Sequence, residues 1–299
     1  MTVSNLMKID GKAIAVSGRF PRIARLRAEY YEYVSEPRGF MDQLKASRCR
    51  ADVFTFLQET PEREPKHRLR HEWESISVVR ISTFDHWWKK QVNDKTRNMV
   101  RKAQKAGVEL RAVPYSDEFV QGIVKIYNES PVRQGKPFKH YGKNFDTIKA
   151  EHGEYLDRAE LIGAYYKDEL IGFIKLVHGR GVSNLMNIIS MISHRDKAPT
   201  NALIARAVEI CAQRGVPYLH YGLWSKRGLG DFKKHHAFEQ MDVVRYFVPL
   251  NIRGQIALGL KLHRSLAEML PEKLVNVLAE WRTKWNARRR TVPQAATGQ

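Results

Sequence analysis

"ELIGAYYKDELIGFIKLVHGRGVSNLMNIISMI", residues 160–192, holds three apolar, β-branched runs separated by one two-residue turn and one glycine-bearing turn. Runs of this length bounded by turn residues predict strands at "ELIGAYY", "ELIGFIKLVH" and "VSNLMNIISMI", the first two closed into a hairpin at Lys167 and Asp168. What flanks this meander decides the fold class. Upstream, "VELRAVP" predicts a strand, "DEFVQGIVKIYNES" a helix opened by an acidic residue, and "NFDTIKAEHGEYLD" a second helix. Downstream, "PTNALIARAVEICAQRG" predicts a helix with Pro199 in its first turn and Gly215 just past its end. A strand "VPYLHYGL", the segment "GLGDFKKHHAFEQ" and a last strand "DVVRYFVPL" follow. The plan is mixed α/β, an arrangement in which ligands sit where neighbouring strands part.

The flanks are less regular. In the first hundred residues the pattern predicts a helix over "RIARLRAEYYEYV" and strands at "DVFTFLQE" and "ESISVVRIS", with the proline-interrupted "TPEREPKHRLRH" as an exposed loop between them. "DHWWKKQVNDKTRNMVRKAQKAG" predicts one helix ending at Gly107, with Trp87, Met99 and Ala103 inward and Arg97, Arg101, Lys102 and Lys105 in water. After Asn251 come two helical patterns broken at Pro271, with Trp281 and Trp285 on the apolar stripe. The sequence thus divides into residues 1–107, a regular α/β domain over 108–250, a basic amphipathic helical tail over 251–290, and a disordered end over 291–299.

Charge narrows the partners. In 299 residues, 51 lysines and arginines face 32 acids, a formal net charge of +19, which favours RNA, a phosphate-bearing substrate or an anionic membrane face. Cys49 and Cys211 stand far apart in no metal-ligand pattern, so a reducing cytoplasm and no metal are expected. No stretch approaches the roughly 20 apolar residues that span a bilayer, so membrane contact would be peripheral, through the C-terminal tail.

Two motifs carry a resemblance to a known family. The element order from 108 to 250 resembles the GNAT acyltransferase fold, and "RNMVRKAQKAGVELR" and "YGLWSKRGLGDFKKHHAF" resemble passages of its FemAB-like branch, whose members hold two GNAT-like halves in one chain. Gly228, Leu229, Phe232 and Lys233 fall on the branch pattern, whereas His236 and Ala237 replace its Phe and Gly. The resemblance implies that residues 1–107 form a reduced first half. It also implies transfer of an acyl or aminoacyl group to an amine of a cell-envelope or polysaccharide precursor, with aminoacyl-tRNA, acyl carrier protein or acyl-CoA as donor and tRNA as a partner. Where CoA-dependent GNAT enzymes carry glycines to bind pyrophosphate, this chain has "SHRDKAPTNAL".

The resemblance places Phe232 and Lys233 beside the reacting ester, Lys233 stabilising its oxyanion. The bland alternative is a helix with one inward aromatic and one solvated lysine. His220 and Tyr221, at the end of the strand that delivers the motif, and Gly228 are candidate substrate contacts, although alternation puts one of the first two in the core. Arg97, Arg101 and Lys102 suit phosphate, or form a solvated face. Tyr141 lies in the loop "SPVRQGKPFKHYG", beside the acceptor groove in GNAT folds or merely exposed. Lys234, His235 and His236 are expected at a basic surface. Two other functions stay open: a CoA-dependent N-acetyltransferase, and a catalytically inactive RNA- or membrane-binding module.

Overall fold

The structure, a computed structural model, describes residues 7–47, 49–225 and 228–264. Its elements in chain order are β1 (Lys8–Ile9), β2 (Lys12–Ser17), β3 (Ile23–Leu26), α1 (Pro37–Ala46), β4 (Val53–Leu57), β5 (His71–Arg80), α2 (Phe84–His86), α3 (Asp94–Lys105), β6 (Glu109–Ala112) and α4 (Asp117–Asn128). They continue with the short β7 (Val132–Arg133) and β8 (Lys136–Pro137), α5 (Phe145–His152), β9 (Ala159–Tyr166), β10 (Glu169–His178), β11 (Ser183–Ser190), α6 (Pro199–Gln213), β12 (Tyr218–Leu223), α7 (Gly228–His235), β13 (Glu239–Pro249) and α8 (Ile252–Gly259). Among the described residues two units emerge: 7–27, 36–55 and 247–264, and 28–35 and 56–246. These cuts differ from a division at 107/108, because β5 pairs with both β12 and β13 and so belongs with the later strands.

In the first unit β2 pairs antiparallel with both β1 and β3, and β3 pairs with β4 in parallel. The helix expected over residues 22–34 is not formed. Ala24 and Leu26 are buried and Arg25 exposed, a period of two that satisfies the ladders on both sides of β3. α8 is capped by Asn251, whose Oδ1 accepts from Gly254 N at 2.9 Å while its Nδ2 donates to Asp52 Oδ1 at 3.2 Å. Only glycine fits at 254, since a Cβ there would lie 1.9 Å from the Asp52 carbonyl oxygen. Of the expected C-terminal tail, α8 is seen, while residues 265–299, with Trp281 and Trp285, lie outside the described residues.

In the second unit the strand order is β13-β5-β12-β11-β10-β9-β6. The meander of residues 160–192 forms as expected, β9 and β11 flanking β10 in antiparallel register. α4 packs on β10, setting the Phe119 and Tyr127 rings about Phe173, and α6 packs along the sheet through a continuous apolar face including Leu203, Ala207 and Val208. The single helix expected over residues 85–107 is broken in two. Residues 87–91 widen into a π turn in which Val92 N bonds to Trp87 O, and Asn93 Oδ1 then accepts from Thr96 N at 2.9 Å to start α3 afresh. Trp87 is fully buried and its Nε1 donates to the His236 carbonyl at 3.2 Å, an anchor that periodicity alone does not reveal. Val100, with Thr96 and Ala103, fills the inward stripe, leaving Met99 half-buried.

Candidate active site

β11 and β12 run parallel but pair at only two positions, Ser183 with Leu219 and Asn184 with His220. Beyond that rung β11 follows β10 to Ser190 while β12 stays with β5, so the two strands part. On the β5 side the register shifts between His220 and Leu223, at Gly222, whose φ of +62° is a conformation glycine adopts freely. The bulge turns the Leu223 carbonyl toward the side chain that α7 delivers.

That side chain is Lys233. It is 2% exposed, so the solvated-lysine alternative is excluded. Its Nζ donates to Leu223 O at 2.7 Å and Ser77 Oγ at 3.1 Å, reaches Ser225 Oγ at 3.5 Å, and lies 4.8 Å from the Tyr221 ring centroid. No carboxylate pairs with it among the described residues. Burial therefore pushes its pKa down to about 8, leaving it an ammonium ion that gives up its proton near neutrality. The Ser225 contact is long enough to be exchanged for a substrate oxygen.

Around Lys233 the sequence candidates separate. His220 is buried, its Nδ1 2.7 Å from Asn184 Oδ1. Burial, then the Lys233 charge, lower its pKa to about 3 against the Gly222 backbone, so the ring is neutral at physiological pH. Tyr221 is half-buried against the main core, and so is Phe232, whose ring centroid lies 4.3 Å from that of His236. Gly228 opens α7 in open space. His236 is not at the surface: it is buried, holds the Phe232 carbonyl at 2.8 Å through Nδ1, lies 3.1 Å from Asn201 Nδ2, and has its pKa lowered to about 4 by burial. The turn after α7 is pinned there by Trp87 and α6, a tertiary effect with no local signal.

The phosphate candidates fare unequally. Arg97 is engaged internally, donating to Trp88 O at 2.9 Å and Val92 O at 2.6 Å and pairing with Asp94 at 2.5 Å. It caps the π turn. Arg101 and Lys102 are exposed on α3, Arg101 lying 5.8 Å from the Trp88 ring centroid. Tyr141 is 47% exposed, on the loop after a small β7-β8 hairpin missed in the sequence. Arg133 of that hairpin ties the end of β11 in place, donating to Ser190 O at 2.7 Å and Ile126 O at 2.7 Å.

The turn between β11 and α6 has few backbone donors to spare. Ile192 N and Ser193 N both bond to the Glu129 carboxylate, at 2.6 and 2.8 Å, and Ser193 Oγ joins them at 2.7 Å. Although burial opposes it, these donors hold the Glu129 carboxyl below the usual range. The amides of Arg195, Lys197, Ala198, Asn201 and Ala202 bond to carbonyls within the turn, and Pro199 has none. Ala198 takes a φ of +54° where glycine would be relaxed.

A cavity of about 350 Å³ opens at the other end of β11, lined among others by Tyr30, Tyr31, Tyr33, Arg158, Arg180 and Asn184. Tyr30, which lines this cavity, lies against His220, ring centroids 4.8 Å apart, and His220 in turn feels the Lys233 charge. None of these residues was singled out in the sequence. The sequence signal closest to them is the aromatic cluster "EYYEYV", which falls within the helix expected over residues 22–34. Among the described residues no cluster of His, Cys, Asp and Glu is arranged to hold a metal ion.

Comparison with protein-family models and with curated protein sequences gives no match. Solved structures do match. The C-terminal domain (DUF2156) of an Agrobacterium fabrum protein assigned as a lysylphosphatidylglycerol synthetase aligns with a TM-score of 0.56 at 13% identity, over 85% of this chain and 86% of that one. L-PGS from Bacillus licheniformis aligns with a TM-score of 0.56 at 14% identity, over 87% and 84%. FemX aligns more loosely, with a TM-score of 0.48 at 11% identity over 85% and 88%. The chain has the mixed α/β, GNAT-like fold that its sequence motifs implied. At these identities the likeness is one of fold.

Proposed function

We propose that the chain is an N-acyl or aminoacyl transferase that moves an activated acyl group onto an amine of a phosphate-bearing cell-envelope or polysaccharide precursor. The observation that carries this reading is Lys233, a buried lysine with no carboxylate partner among the described residues, held by Leu223 O and Ser77 Oγ at the bulge where β12 shifts register against β5. An amine attacking an activated ester needs little acid or base machinery beyond deprotonation, positioning and a donor for the oxyanion. The Lys233 ammonium supplies that donor by trading its long Ser225 contact for the developing oxyanion, and Phe232 packs α7 so that Lys233 keeps its place. His220, neutral and fixed by Asn184, forms the wall behind it.

Aminoacyl-tRNA is the favoured donor, with carrier-bound acyl groups next. CoA is disfavoured because the turn that would bind its pyrophosphate carries no glycine and has most of its amides bonded to Glu129 and to neighbouring carbonyls. Arg101 and Lys102 on α3 meet donor phosphates, while Arg158 and Arg180 meet those of the acceptor. Lysylphosphatidylglycerol synthetase, the name carried by one structural neighbour, is consistent with aminoacyl transfer to a phosphate-bearing acceptor.

The test is mass spectrometry of molecules retained by the purified protein, followed by turnover assays with labelled aminoacyl-tRNA and acetyl-CoA in the presence of an envelope-precursor extract. Label transferred from aminoacyl-tRNA by the wild type and lost in Lys233→Met supports the assignment. Retained CoA with turnover of acetyl-CoA points instead to an ordinary GNAT acetyltransferase. Salt-sensitive polyanion binding with no turnover of any donor identifies a non-catalytic module.

A further inference from the structure

The outward face of α8 is apolar where a solvated helix carries polar side chains. Ile252, Ile256 and Leu260, four residues apart along one face, are 66%, 52% and 63% exposed, whereas Gly254, Ala257 and Leu258 pack inward. Phe20, 48% exposed in the turn between β2 and β3, extends the patch, because the Arg253 guanidinium lies 5.3 Å from its ring centroid. Single exposed apolar side chains are ordinary, but a contiguous set marks an interaction surface.

The charges around this patch identify its partner. Arg19 and Lys261 are exposed beside Phe20 and Leu260, and neither residues 11–27 nor residues 247–264 contain an aspartate or glutamate. A surface that takes apolar side chains and also presents anions is a lipid bilayer with acidic headgroups. A second copy docked on the same face would set this cationic border against itself. The chain's own C-terminal segment fits poorly as well, since Arg282, Lys284, Arg288, Arg289 and Arg290 bring more cations.

We propose that this face of the first unit docks on an anionic membrane surface, Phe20, Ile252, Ile256 and Leu260 entering the headgroup boundary while Arg19, Arg253 and Lys261 meet lipid phosphates. The contact is made by α8 and the β2-β3 turn, separately from anything residues 265–299 contribute, and it does not depend on the transferase assignment.

Sedimentation of the full chain with vesicles tests it. Binding is expected to phosphatidylglycerol-containing vesicles, to weaken with added salt, and to be absent with pure phosphatidylcholine. The exposed-site variant Ile256→Ser/Leu260→Ser should melt like the wild type yet bind acidic vesicles about tenfold more weakly. Equal binding by variant and wild type would place the contact in residues 265–299 and overturn the proposal. Absence of binding by the wild type overturns it too, as does a shift in oligomeric state of the lipid-free variant, which would assign the face to a second copy.

Discussion

Asn184 and His220 meet twice: their backbones form the last rung between β11 and β12, and His220 Nδ1 lies 2.7 Å from Asn184 Oδ1. A side-chain bond therefore closes the seam at the residue pair beyond which the strands separate. Asn184→Leu removes the partner of a ring that is 4% exposed, and an unsatisfied buried polar group costs about 1–3 kcal/mol. Urea unfolding should show a loss of that size. An unchanged midpoint would mean that the side-chain bond contributes nothing to holding the seam.

Lys233→Met should separate stability from activity. Replacing a buried ammonium that meets no carboxylate among the described residues by an apolar chain of similar length removes a desolvation cost, so the thermal midpoint is expected to hold or rise. Loss of one oxyanion donor, by contrast, lowers kcat by about 100- to 1000-fold. A variant that loses activity only in proportion to lost folded protein would show that Lys233 is structural.

The pH profile carries the same residue's signature. Lys233 has a folded-state pKa of about 8, below the ordinary lysine value, so its ammonium form is present below pH 8 and lost above it. kcat/KM should therefore fall as pH rises through about 8, and the residual activity of Lys233→Met should lack that limb. Stability moves the opposite way. Charging Lys233 is disfavoured in the folded state, so its cost is fully felt below pH 8 and disappears as pH rises toward the ordinary lysine range.

Glu129 stabilises the turn before α6 from the acid side. Its folded-state pKa lies below the ordinary glutamate value, so its contribution is present above that value and lost as pH falls through the folded one. Glu129→Gln should lower stability at pH 7 by about 1–3 kcal/mol and flatten the loss of stability below about pH 4.5. Parallel acid-denaturation curves for variant and wild type would refute this account.

Much of the second unit was legible because its signals are local. Alternation and turn residues located β9, β10 and β11, while Pro199 and Gly215 bracketed α6. What escaped was set by partners far away in the chain. Residues 23–26 form a strand because β2 and β4 flank them, and the helix over 85–107 breaks because Trp87 is drawn to the His236 carbonyl. The candidate site divides likewise. Lys233 was found through its motif, but its burial depends on Ser77 and on the Leu223 carbonyl that the Gly222 bulge presents. The tyrosine-lined cavity had no motif, since Asn184 and Tyr30 stand far apart in sequence.

The Glu129 carboxylate gives the turn before α6 a resident anion. It occupies the Ile192 and Ser193 amides just past β11, two donors that a bound anion would otherwise find free. If the chain is the transferase proposed above, a diphosphate entering this turn would have to displace a tethered carboxylate whose local concentration no free ligand matches, a selection by occupancy rather than by shape. Under the proposed function, Glu129 at the end of α4 is the side chain on which the choice of donor would turn.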